Sequence, residues 1–198
     1  MLTEAERREA LDYARRAATE PLSGAAERSD AGRSRWLPAV DSLQGALRAP
    51  GACFVTLRTD GALQGCIGSL VAHRPLGVDV AANAAAAAYD DPRLPPLTLG
   101  DVATTEVHVS VLGPLLPLTV PDPGALRARL RPGVDGLLVE ASGRRATFLP
   151  SVWAQVADVD DFLAALWRKA GMLPGSWPDG ITLQTYRVQE FAGPLAGP

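Results

Sequence analysis

Hydrophobic and polar positions alternate most clearly over Glu106–Leu112, where Val107, Val109 and Val111 share one face and Glu106, His108 and Ser110 the other. A period of two marks a half-buried strand with a polar face. The chain opens with the longer period: Thr3 and Glu6 have the spacing of a capping box, and Leu11, Ala14 and Ala18 then line one helical stripe. Residues 19–35, with Pro21, Gly24 and Gly32, read as a loop longer than an ordinary connection, and Trp36 and Leu37 pin its far end to the body.

Gly51–Arg58 reads as a strand, and Asp60-Gly61 is a strong two-residue hairpin turn. Counting outward, Thr59 faces Ala62, Arg58 faces Leu63 and Val55 faces Cys66, so Cys53 and Cys66 share a face on the diagonal. A slip of one residue would remove that relation. Pro75 suits the first turn of a helix, because its missing N–H is not needed there. Leu76, Val80, Ala84 and Ala88 continue at four-residue spacing, with Asn83 the polar exception, and Asp91-Pro92 ends the run. Residues 113–123 are proline-rich and mark a boundary or a surface excursion.

A short helix around 124–130 follows, then a hairpin of 135–140 and 144–148, and a helix over 160–170 stopped by Gly171. Residues 181–191 read as one final strand whose alternation changes phase between Leu183 and Tyr186, at a bulge or bend. Helix, hairpin, helix, strand, hairpin, helix, strand is the order of an α+β protein. With 198 residues, 5–191 read as a single domain with a subdomain excursion around 113–150 and a tail at 192–198.

The charge balance, 19 basic against 22 acidic side chains, gives no basic stripe for nucleic acid. The charged start shows no secretory signal, and the alanine-rich run is too short to cross a bilayer. A cytoplasmic protein without a membrane anchor is expected. Two cysteines do not make a disulfide scaffold, and two cysteines with two histidines lack the paired spacing of a structural zinc site. No glycine-rich nucleotide fingerprint is present, so no cofactor is implied.

Cys66 stands between Gly65 and Gly68, which strip cover from its sulfur and suit a bulge or a close approach of backbone or ligand. Two readings stay open: a nucleophile assisted by His108, with Arg93 a second activating neighbour, or a small wall residue of a core or cleft. The rigid Asp91-Pro92-Arg93 segment sets a carboxylate and a guanidinium on a loop, and Ser110 shares the polar face of His108. Gln64, Gly65, Gly68, Asp91, Arg93 and Ser110 are thus the candidates for ligand or partner binding.

Thr56-Leu57-Arg58, Asp60-Gly61, the 63–68 segment, Asp91-Pro92-Arg93 with Pro95-Pro96-Leu97, Val109–Leu112, Phe148-Leu149-Pro150, Val152-Trp153, Lys169-Ala170-Gly171 and Tyr186 occur in the order seen in the AMMECR family. By this order the chain resembles that family from about residue 5 to 191. The resemblance implies an AMMECR-like α+β fold of two unequal, interlocked parts, with antiparallel sheet, flanking helices and a cleft between the parts. It also implies partnership with a Memo-like protein and a radical S-adenosylmethionine protein, and a small-molecule or modified-peptide ligand, without an established reaction. Gln64 stands where the family usually has arginine, and Asp135 where relatives often carry histidine. The function so implied is a partner or ligand-binding component; the alternative is a cysteine-dependent acyl transferase or hydrolase using Cys66 and His108.

Overall fold

A computed structural model describes residues 1–22 and 36–197. They form two compact units, Met1–Leu112 with Gln189–Pro198, and Gly113–Val188. The loop expected to begin at residue 19 is corrected over its first residues: helix α1 (Glu4–Thr19) reaches Thr19 and a tight helical turn covers Glu20–Leu22. Residues 23–35 lie outside the described residues.

In the first unit, α1 carries the capping box of Thr3 and Glu6, and Glu6 also accepts the Ala46 N–H, tying α1 to the short helix α2 (Gly45–Arg48). Strand β1 (Pro50–Gly51) pairs with β4 (Arg74–Pro75). The main sheet joins β2 (Cys53–Thr59), β3 (Ala62–Gly68), β5 (Thr105–Leu112) and β10 (Val188–Pro194), antiparallel where β2 meets β3 and β5, in the order β10-β5-β2-β3. Helix α3 (Leu76–Tyr89) packs on β2 and β3, and α1 packs on α3. Val55, Leu57, Val107 and Val109 meet the alanine side of α3 (Ala81, Ala84, Ala88) in a core with no exposed members. Small side chains let the helix axis approach the strands closely, which sets the requirement at Gly65 described below.

In the second unit, β6 (Leu116–Pro117), β7 (Gly136–Ala141), β8 (Arg144–Phe148) and β9 (Thr182–Tyr186) form a sheet in the order β6-β9-β7-β8. Helix α4 (Pro123–Arg129) is capped by Asp122, and α5 (Val159–Lys169) by Asp158. Phe162, Leu163, Leu166 and Trp167 bury the apolar face of α5, and Phe162 stacks on Trp153 at 3.7 Å between ring centres. Gly171, at φ 70°, ends that helix as its sequence position predicts.

The expected final strand over 181–191 is corrected. It is two strands, β9 and β10, parted at Arg187 and belonging to different sheets. The phase change between Leu183 and Tyr186 has its own cause. Both side chains are buried, on opposite faces of β9, with the Tyr186 ring lying over Gly136 and its hydroxyl sharing a hydrogen bond with Thr147 at 2.7 Å.

Candidate functional site

The hairpin turn holds Asp60 at φ 49° and Gly61 at φ 78°, and Thr59 faces Ala62 and Arg58 faces Leu63 as expected. One residue further the register breaks. Leu57 pairs with Gly65, so Gln64 is the extra residue of a β-bulge, and from there Thr56 faces Cys66 and Val55 faces Ile67. The expected Val55–Cys66 pair is therefore corrected, and with it the shared face of the two cysteines. Cys53 points into the core and Cys66 to the sheet face away from α3.

The bulge has a packing cause. Gly65 faces α3, where a Cβ on it would lie 1.8 Å from the Ala87 carbonyl oxygen. Only glycine admits that approach, and placing Gly65 inward sends Cys66 outward. Gly68 lies beneath the Phe54 ring, 2.3 Å from where its Cβ would be, so an aromatic surface replaces a side chain there.

β3 is an edge strand, and its unpaired backbone is taken up by the loop after α3. Asp91 Oδ2 accepts the Cys66 N–H at 2.9 Å, and Arg93 Nη2 donates to the Cys66 carbonyl at 3.2 Å. Arg93 also grips Asp91 through Nε at 2.8 Å and Nη2 at 2.6 Å. The pair thus offers Cys66 one acceptor and one donor, as a neighbouring strand would. Gln64 Nε2 donates to the Pro95 carbonyl at 2.8 Å, extending the clamp to the bulge residue. Arg93 holds the buried Asp91 carboxyl well below the usual carboxylate range against the opposing effect of burial, and Cys66 N–H helps.

On the outer face a polar row crosses three strands: Cys66 on β3, Thr56 on β2 and His108 on β5 are register partners. Thr56 Oγ1 donates to Cys66 Sγ at 3.1 Å. Two strand spacings separate Cys66 from His108, about 10 Å between their backbones. His108 Nε2 instead lies 3.4 Å from Glu106 Oε2, without hydrogen-bond alignment. Ser110 donates to Glu190 of β10 at 3.3 Å, and Arg58, Glu106 and Glu190 on this face are exposed. Gln64, Gly65, Cys66, Asp91 and Arg93 thus converge at the β3 edge, while His108 and Ser110 lie two strands away on the same sheet.

Cys53 has a different setting. Its N–H and Sγ both donate to the fully buried Asp79, at 3.0 and 3.3 Å, and Asn83 Nδ2 donates to Asp79 at 3.0 Å and to the Cys53 carbonyl at 3.1 Å. Arg74 pairs with Asp79 at 2.8 Å. Burial pushes the Cys53 thiol far up, and the charge of Asp79 adds to it. Asp79 and Asn83 occupy successive turns of α3, and this network was signalled only by the odd polarity of Asn83. Thr56, the direct neighbour of the Cys66 sulfur, had no such signal, since its role depends on the bulge.

Asp135 is buried in the second unit. Burial works to raise its carboxyl, but the Arg131 guanidinium and backbone N–H hold it below the ordinary range. Its carbonyl accepts the Trp153 indole N–H at 2.8 Å, so it braces β7. Among the described residues, no three His, Cys, Asp or Glu side chains gather as a metal site, and no helix is long and apolar enough to cross a membrane.

The AMMECR1 family model matches residues 11–191. A protein of Methanothermobacter thermautotrophicus is 37% identical over 190 residues, covering 95% of this chain and 93% of its own length. A protein of Methanocaldococcus jannaschii is 36% identical over 143 residues, covering 70% of this chain and 71% of its own. The crystal structure of an uncharacterised protein from Pyrococcus horikoshii superposes with a TM-score of 0.79 at 30% identity, covering 96% of this chain and 92% of the other.

Proposed function

The chain belongs to the AMMECR1 family, and from that premise we propose that it is a binding component that docks a partner protein on the outer face of its main sheet. The observation that carries this reading is how the loop after α3 is used. Asp91 and Arg93 are committed to the backbone of Cys66, and His108 sits two strands from the sulfur. The charged residues of the segment therefore build a stiff surface, and a rigid surface loses little entropy on association. By family resemblance the partner is a Memo-like protein or a radical S-adenosylmethionine protein; a small molecule or modified peptide held with the partner is compatible with the same face.

Calorimetry of the full chain against each of those two proteins tests this reading. One of them is expected to bind stoichiometrically, and Glu106→Lys combined with Glu190→Lys is expected to weaken it about tenfold or more, because charged groups set partner choice. Absence of binding to both at tens of micromolar would remove the reading.

One contact favours a second reading, a cysteine-dependent acyl transferase or hydrolase. The Thr56 hydroxyl donates to Cys66 Sγ at 3.1 Å, which sets a polar partner directly against the sulfur. That reading needs a base within hydrogen-bond reach of the sulfur, and His108 is not placed there.

A further inference from the structure

Two depressions in the second unit share one wall, the indole of Trp177. The larger, about 240 Å³, lies over Leu126, Leu163, Ala164 and Trp167, with the Arg127–Asp160 ion pair at its mouth. The smaller, about 200 Å³, lies over Leu118, Val120, Ile181 and Leu183. Together they make a trough, mostly apolar in the larger hollow and mixed in the smaller, where Thr119 and Thr182 join the wall, with Trp177 shared by both.

The three indoles of this unit are used differently. Trp153 Nε1 donates to the Asp135 carbonyl and Trp167 Nε1 to the Ser176 carbonyl, at 2.8 and 2.7 Å. Trp177 Nε1 has no acceptor among the described residues. A half-exposed tryptophan with a free N–H between two hollows has a body for packing and a donor for a carbonyl. The surroundings are acidic. Asp158, Asp160 and Asp161 stand in the cap and first turn of α5, and Asp179 follows Trp177 by two residues; all four are exposed, with Arg127 paired to Asp160.

We propose that this trough binds a proline-rich segment of a partner protein, in the polyproline II conformation and flanked by arginine or lysine. That helix repeats every three residues, about 9 Å along its axis, so two prolines three apart fall on either side of a single ring. Its carbonyls carry no internal hydrogen bonds, so one is available to the Trp177 N–H. The acidic residues match a basic flank. The site is independent of the sheet face assigned above: it lies wholly on residues 113–188 and uses neither Cys66 nor His108.

The test is a ¹H–¹⁵N titration of the full chain, following its four indole resonances. The probe is a synthetic decapeptide with two prolines three apart and an arginine at one end; the control carries alanine at both proline positions. The Trp177 indole signal is expected to shift with saturation in the micromolar range, and the alanine peptide to bind at least tenfold more weakly. Trp177→Phe, which keeps a ring and removes the donor, is expected to weaken the proline peptide about tenfold, and Asp161→Lys severalfold. No saturable shift of that indole in the wild-type chain, or equal shifts with both peptides, would overturn the proposal without reference to any variant.

Discussion

Cys53 and Cys66 lie on neighbouring strands of one hairpin and have opposite circumstances. Cys53 is fully buried, its thiol and N–H both given to Asp79. Cys66 is half-buried on the far face, its backbone held by Asp91 and Arg93 and its sulfur touched by Thr56. A single extra residue, Gln64, separates the two outcomes, because a strand's side chains change face at every step. The inward cysteine is a structural group in a closed polar network. The outward one is available to whatever meets the sheet.

That contrast depends first on Gly65. Gly65→Ala puts a methyl group 1.8 Å from the Ala87 carbonyl, where neither α3 nor β3 can yield cheaply. The expected loss is at least about 3 kcal/mol in urea unfolding, at the upper end of overpacking costs; a loss under 1 kcal/mol would mean the helix does not press on the bulge. Asp79→Ala comes next. It strips the acceptor from Cys53, Ser69, Arg74 and Asn83, and a loss of about 3 kcal/mol is expected for breaking a mostly buried pair. An unfolding midpoint close to wild type would show the network to be dispensable.

Asp91→Asn sharpens the outward side at smaller cost, about 2 kcal/mol at neutral pH, the scale of a hydrogen bond to a charged group. The sign with pH follows from the depressed carboxyl. A group more acidic folded than unfolded contributes stability above the unfolded value, about 3.9, and loses it as pH falls toward the folded one. The gap between wild type and Asp91→Asn should therefore be flat above about pH 5 and narrow on acidification below about pH 4. A gap independent of pH down to about 2.5 would mean that the Arg93 clamp does not set the charge of Asp91.

Much of this was legible in the residues. The capping box of α1, the Asp60-Gly61 turn, the alternation of β5 and the glycine stop of α5 are local signals, and the structure keeps each of them. What was not legible depended on distant contacts. The register beyond Leu63 is decided by Ala87, more than twenty residues on, and a hairpin counted from its turn alone puts Cys66 on the wrong face. The end of the chain fails for the same reason: 181–191 has strand composition throughout, and only the two separate sheets show that it is two strands. The stiffness of the proline segment marks Asp91 and Arg93 as candidates, but their target, the free backbone of an edge strand, is a property of sheet order.

The most direct test of the central claim, that Cys66 faces outward on a binding surface without an activating imidazole, is timed iodoacetamide labelling of the native chain, read at both cysteines by peptide mass spectrometry. Cys66 is expected to react in the folded protein and Cys53 only after denaturation, and His108→Ala is expected to leave the Cys66 rate within about twofold, since a thiol is activated by groups in its immediate surroundings. Labelling of both cysteines at similar rates, or a tenfold fall at Cys66 on loss of His108, would contradict the account.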